Sequence, residues 1–340
     1  MDGAGLGKPT WRRSLRLGCG FLIGIALCRP TLSAAQALQK ITVGYSSPSG
    51  NQSVIFLGKD GGNYQKHGLD VELIFIGAGS KMTAAILAGD IKIALVGGVA
   101  PVSARLRGAD LKIVAVAFNR LALSLIAQKD IRSVADLKGR RVAVTRFGSN
   151  TDLGIRYVLK THGLLPDKDV AILQFGDVPS AFAALQAGAV QGCMLSYPTT
   201  SAAKKAGFKE LIDISDSALE YASSNIVVTD RYLQSQRDVI RRFLMGFIEG
   251  MHRFKTDEAF AKRVMGKYLR INDATVLDET YKLFAPKIPR APLATPGGIR
   301  TALESITDDP RTRTAKPEEF YDDSIVRGLD KEGFIQQLYR

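Results

Sequence analysis

The chain has 340 residues, 46% of them hydrophobic and 23% charged, with a mean hydropathy of +0.02. That length supports one large or two ordinary domains with real cores, and the hydropathy argues against a polytopic membrane protein. The formal net charge of +13 would suit nucleic acid, an anionic membrane surface or an acidic solute. Nucleic acid is disfavoured, because there is no dense Lys/Arg stripe and no aromatic-studded RNA-binding motif.

Arg12, Arg13 and Arg16 precede an apolar run from Leu17 to Cys28, and small residues follow as far as Ala35-Gln36-Ala37. This order predicts a secretory signal peptide over residues 1–37, cleaved after Ala37, and hence a periplasmic protein. The apolar run is well short of the roughly 20 residues a spanning helix needs. Arg12-Arg13 leaves a twin-arginine signal open, and Cys28 a lipid-attachment site. Residues 1–37 carry five basic residues against Asp2, so the mature chain would be about +9. It would lack Trp11, Cys19 and Cys28 and keep Cys193 as its one cysteine, which cannot form an internal disulfide.

In chain order, Ile41–Tyr45 is a predicted strand, 52–67 a helix, Leu69–Ile76 a strand and Met82–Ala88 a helix. Ile91–Val96 and Leu111–Phe118 follow as strands. The pattern restarts with a short helix at Val134–Leu137, a strand at Arg141–Thr145, a helix over 150–162 and a strand at Val170–Phe175. A helix at Ser180–Ala187 and a strand at Val190–Leu195 complete it. Strand–helix alternation with Gly-rich turns predicts an α/β fold with mostly parallel sheets covered on both faces. Two extended runs, Leu123–Gln128 and Asn225–Thr229, lie where one α/β unit would pass to the next and are expected to form a two-strand hinge. The expected domains are therefore 38–128 plus 225–340 as lobe I and 129–224 as lobe II. From Arg231 onward the chain reads as helical, with an amphipathic stretch at Val239–Phe254, prolines between 286 and 296, and two final helices.

Ligands of open α/β sheets bind beyond the carboxyl ends of the strands, where loops open into helix N-termini. Four segments have that position. They are Tyr45-Ser46-Ser47-Pro48-Ser49-Gly50-Asn51, Gly77-Ala78-Gly79-Ser80-Lys81, Gly97-Gly98-Val99-Ala100-Pro101, and Arg146-Phe147-Gly148-Ser149-Asn150-Thr151-Asp152. Glycines permit close backbone approach, and hydroxyl or amide donors sit beside free helix N–H groups, which suits an anion. Lys81 and Arg146 could add full charges. The structural alternative is that Ser80 and Asn150 merely cap helices. Tyr45, Phe118, Phe147, Phe175 and Tyr197 also fall at strand ends and could wall a pocket for an apolar or planar ligand body.

Catalytic signals are weak. His67 and His162 each precede a glycine at a helix end, and His252 has no visible partner. No paired-Cys or HExxH metal spacing occurs, no phosphate-loop GK[ST] occurs, and Gly77-x-Gly79 lacks the third glycine of a dinucleotide fingerprint. No metal, cofactor or catalytic residue is expected.

The stretches ITVGYSS, GAGSKMTAAILAGDIKIALVGG, VADLKGRRVAVTRFGSNTD and VPSAFAALQAGAVQGCMLSYP, with KAGFKELID, resemble a known family. It is the sulfonate/nitrate/taurine class of solute-binding proteins of ABC transporters (SsuA-like, NMT1-like), which also contains fungal thiamine-pyrimidine synthases. The resemblance runs through essentially the whole mature chain. It implies a two-lobed periplasmic-binding-protein fold (type II, venus flytrap) with a helical C-terminal region, and a monomer serving an ABC permease in the inner membrane. It also places the ligand against Tyr45, Ser46, Ser47, Gly79, Ser80, Lys81, Gly98, Val99, Phe118, Arg146–Thr151 and Tyr197. The expected role is non-catalytic capture of a small, anionic organic solute. An enzyme of the synthase type using the same cleft, and a ligand-sensing module for a membrane sensor, are the alternatives. The fungal enzymes depend on a cysteine cluster and an active-site histidine, which the single mature cysteine and the placement of the histidines do not match.

Overall fold

Ten strands divide into two five-stranded sheets of the same design in a computed structural model that describes Met1 and residues 37–340. The predicted signal peptide lies outside the described residues. The first sheet holds β1 (Gln39–Tyr45), β2 (Leu69–Phe75), β3 (Ile93–Val96), β4 (Lys112–Arg120) and a late strand, Glu220–Val228. The second holds β5 (Ser124–Ala127), β6 (Arg141–Val144), β7 (Ala171–Gln174), β8 (Gly192–Leu195) and β9 (Lys209–Asp213). With the late strand as β10, the orders are β2-β1-β3-β10-β4 and β7-β6-β8-β5-β9. In each sheet the fourth strand runs antiparallel to both neighbours while the other pairings given are parallel. β3, β5 and β8 are buried at every residue, as strands covered on both faces must be.

The two runs expected to form a hinge are ladder strands instead. Residues 124–127 lie between β8 and β9, and residues 225–228 between β3 and β4. Each strand arrives from the other sheet's last strand and is taken into the ladder, because an unpaired row of backbone groups there would be costly. The chain passes between the sheets at 121–123 and at 214–219. Residues 37–340 nonetheless form one compact unit.

The helical C-terminal region packs onto the first sheet. Helix Arg237–Thr256 buries Phe243, Phe247, Met251 and Phe254 in one core with Val54–Leu57, Tyr64, Ile93 and Phe118. The Tyr64 and Phe243 rings stack at 5.1 Å. The expected single helix over 52–67 is broken at Gly61-Gly62, where Gly62 takes a left-handed φ of 72° that favours glycine. After the prolines there are three helices, Pro296–Glu304, Ser324–Lys331 and Phe334–Leu338, rather than two. Among the described residues no helix is long and apolar enough to cross a membrane.

Candidate functional site

Every parallel strand that begins a strand–helix unit ends at the same place. The loop after β1 supplies Ser46, Ser47, Pro48, Ser49, Asn51 and Gln52 to a cleft. The loops after β2 and β3 supply Ala78, Gly79 and Gly97. From the second sheet, the loop after β6 supplies Thr145 and Gly148–Thr151, that after β7 Asp177 and Val178, and that after β8 Ser196. Leu121, Ala122 and Leu123 of one crossing segment and Ser223 of β10 complete the wall. The centre of a water molecule can reach about 60 Å³ of the cleft.

Hydroxyls recur along this wall. Thr145, Ser149 and Thr151 are buried, and their hydroxyl oxygens lie 2.8–2.9 Å apart in a triangle. The Thr145 N–H donates to Thr151 Oγ1 at 2.9 Å, pinning the strand end to the helix that follows. Ser149 caps that helix, Asn150–Thr161, by accepting from the Asp152 N–H. Helix Gly79–Ala88 begins with no side-chain cap, so its first N–H groups face the cleft loop unsatisfied by the chain's own side chains. Asp177 caps helix Val178–Gln186 through the Ser180 N–H at 2.8 Å and, among the described residues, is the one charged residue on the wall. Asp152 stands behind the wall. Burial pushes its carboxyl up, opposed by the Gly148 N–H and by Arg156.

Of the residues expected from the sequence, Ser46, Ser47, Gly79, Gly148, Ser149, Asn150 and Thr151 come together on this wall. The others are placed elsewhere. Tyr45 packs edge-on to Phe56 at 5.0 Å and against Phe75 at 5.4 Å. Phe118 is fully buried against Phe284. Tyr197 is buried in the core of the first sheet, and its carbonyl accepts from the Gly50 N–H at 3.2 Å. Ser80, Val99 and the exposed Phe147 line a wider groove beside helix Pro296–Glu304, which shares Gly148 and Ser149 with the cleft. The Gly98 N–H donates to Ala222 O, and the Val99 N–H to the Tyr221 hydroxyl. Lys81 is exposed on the first turn of its helix, and Arg146 is half-buried off the cleft wall. Neither cation expected to serve an anion lies on this wall, whose polar groups are hydroxyls, amides, backbone groups and the Asp177 carboxylate.

Sequence reasoning missed Gln52, Thr145, Asp177, Ser196 and Ser223 as wall residues, while Ser49 and Asn51 lie in the first of its four loops. The repeat of the sheet pattern was the available signal, since Asp177 follows β7 as Ala78 follows β2, and Ser196 follows β8 as Gly97 follows β3.

The two halves of the wall meet through Asn150. The Tyr221 hydroxyl donates to Asn150 Oδ1 at 2.7 Å, and Asn150 Nδ2 donates to the Ser223 carbonyl at 3.0 Å. Gly97 lies under this amide, and a side chain there would overlap it. On the far side, Ser201 bonds Glu279 and Lys205 pairs with Asp273.

The histidines are engaged elsewhere. His67 meets Glu249 at 3.2 Å, His162 Nδ1 meets the Val158 carbonyl at 2.8 Å, and His252 packs edge-on to Tyr339. Cys193 is buried in β8, and burial pushes its thiol far up, which suits an inert packing residue. Among the described residues no group of three or more His, Cys, Asp or Glu could hold a metal ion.

This architecture is shared with solved solute-binding proteins. The alkanesulfonate-binding protein SsuA of Xanthomonas axonopodis pv. citri, bound to MOPS, superposes with a TM-score of 0.70 at 20% identity. That match covers 83% of this chain and 96% of that one. The periplasmic nitrate-binding protein NrtA of Synechocystis PCC 6803 does so with a TM-score of 0.68 at 14% identity, over 87% and 89%. At these identities the likeness establishes the periplasmic-binding-protein fold. A Brucella abortus (strain 2308) protein named as a binding protein is 26% identical over 246 residues, 70% of this chain and 74% of its own length. The family profile described as NMT1/THI5 like matches residues 49–257, more than half of the sequence. The chain belongs to the NMT1/THI5-like family.

Proposed function

We propose that this protein captures a small organic solute in the cleft without chemical change and delivers it to an ABC permease of the inner membrane. The observation that carries this reading is the convergence of six strand-end loops, three from each sheet, on one hydroxyl- and amide-lined cleft. Its relatives and structural neighbours support it, being described as binding proteins for sulfonates, nitrate or unspecified solutes. The two sheets with their helices are then the two lobes, the first from residue 38 to about 120 and again from about 220, the second between. The solute carries an anionic, acceptor-rich end, held by hydroxyls and helix N–H groups rather than by Lys81 or Arg146. The protein acts in the periplasm, as a monomer, after loss of residues 1–37.

Calorimetry on protein recovered from the cell envelope tests this. A panel of sulfonates, carboxylates, nitrate and heterocycles should contain a solute that binds one-to-one and is recovered unaltered. The recovered protein should have the mass of residues 38–340. Turnover of the bound solute would contradict capture, and intact Met1 would contradict export with cleavage.

A further inference from the structure

Gln52 belongs to the short 3-10 turn Gly50–Gln52 that follows β1, and it is almost completely buried in the cleft wall. Its Oε1 accepts two backbone donors, the Ser46 N–H at 3.0 Å and the Ser47 N–H at 3.1 Å. A backbone N–H can only donate, so these two bonds fix which end of the amide is oxygen. The NH2 end therefore faces Ser46 Oγ, to which it donates at 3.0 Å. A hydroxyl has one proton, and an oxygen accepting from an amide NH2 does not aim that proton back at it. Ser46 Oγ has no other hydrogen-bond partner among the described residues, and Ser46 lines the cleft.

We propose that Gln52 is a positioning residue: it makes the Ser46 hydroxyl a donor into the cleft, aimed at an acceptor oxygen of the solute's anionic end. The proposal rests on the reading of an anionic solute and names the residue that sets the polarity of its cradle. Ser49 and Asn51 extend the same wall, where the Ser49 hydroxyl donates to Asn51 Oδ1 at 2.5 Å and leaves the Asn51 NH2 end as a donor. The Thr145–Ser149–Thr151 triangle faces them from the other sheet. Among the described residues the wall carries no Lys or Arg, and its one carboxylate, Asp177, accepts from the Ser180 N–H, so the donors offered to an anion on this wall are uncharged.

Gln52→Glu reverses the polarity at one atom. An ionised carboxylate keeps the two backbone N–H bonds with one oxygen and draws the Ser46 proton away from the cleft with the other. A protonated carboxyl restores the original arrangement, with its O–H in place of the amide N–H.

The test is calorimetric titration with ethanesulfonate and nitrate, which stay ionised throughout, and with xylose as the uncharged probe. Wild-type protein should bind an ionised probe in preference to xylose. Gln52→Glu should weaken that binding roughly tenfold or more at about pH 8, with affinity returning toward about pH 5. Ser46→Ala, a small change that deletes the donor directly, should weaken it comparably. Gln52→Glu should cost much less in the Ser46→Ala background, where only charge repulsion remains. Amide exchange at Ser46 and Ser47 should stay slow in Gln52→Glu and quicken in Gln52→Ala. Preference for xylose, an unchanged affinity in folded Gln52→Glu, or an equal loss in both backgrounds would overturn the proposal. Those outcomes leave reversible capture standing, whereas conversion of a probe would instead remove the solute-binding reading.

Discussion

Asn150→Ala should weaken solute binding by roughly tenfold while leaving thermal stability nearly unchanged. Asn150 belongs to the second sheet's half of the wall, and its amide bonds Tyr221 and Ser223, which belong to the first. Such bonds exist only when the two halves are together. Each is worth about 0.5–1.5 kcal/mol net, so losing both shifts a closing equilibrium by roughly one to two orders of magnitude. Apparent affinity falls by the same factor once the closed form is no longer dominant. The stability of each half is spared, because Ser149 and not Asn150 caps the helix. Tyr221→Phe should reproduce part of the effect, since it removes the bond to Asn150 and leaves the buried Val99 N–H without its acceptor. The measurement is titration of both variants with one solute, beside their unfolding curves. An Asn150→Ala affinity within twofold of the parent would show that the amide does not join the halves.

The largest effect on stability is expected at Gly250. Helix Arg237–Thr256 crosses helix Val54–Asp60 so closely that a Cβ at Gly250 would meet Gly58 N and Val54 O at 2.9 Å and Gly58 Cα at 3.1 Å. These are backbone atoms, which cannot rotate aside as a side chain would. Gly250→Val should therefore lower the unfolding free energy by about 3 kcal/mol, the upper end for overpacking in a well-filled core. That corresponds to a drop of roughly 6–12 °C in midpoint for a chain of this size. Gly328 is the control. It sits in helix Ser324–Lys331, where a Cβ would come no nearer than 3.9 Å to Glu332 Oε1. Gly328→Ala should stabilise slightly, by about 0.5–1 kcal/mol, through helix propensity alone. A thermal melt in which Gly250→Val matches the parent would contradict this packing.

The strand–helix order was readable because its signals are local. ITVGY, RVAVT and ALV are short apolar or alternating runs bounded by glycine, and each is a strand within a residue or two at its ends. What was not legible depended on pairing between distant segments. The runs at 123–128 and 225–229 look alike whether they bridge two lobes or lie within a sheet, and only their ladder partners decide it. Strand β9, KELID, has charged and half-buried positions on an edge, so its apolar signal is thin.

The site shows the same division. Glycine- and hydroxyl-rich loops after strands pointed to Ser46, Gly79 and Ser149, because helix starts carry composition cues. Lys81 and Arg146 were drawn in by charge. Their side-chain directions depend on helix rotation and on which neighbour packs alongside, and neither is written in a four-residue loop. Aromatics at strand ends were ambiguous for a related reason. Phe118 and Tyr197 turn into the core with Phe284 and the C-terminal helices, which lie far off in sequence. Gln52 read as the start of a helix, and its role depends on a turn that folds it back onto Ser46 and Ser47.

Small-angle scattering with and without a bound solute tests the central claim most directly. A two-lobed capture protein whose halves meet through Asn150 should show a smaller radius of gyration at saturating solute than in its absence, with no change in mass. A radius unchanged at saturation would contradict capture by closure of the two halves over the cleft.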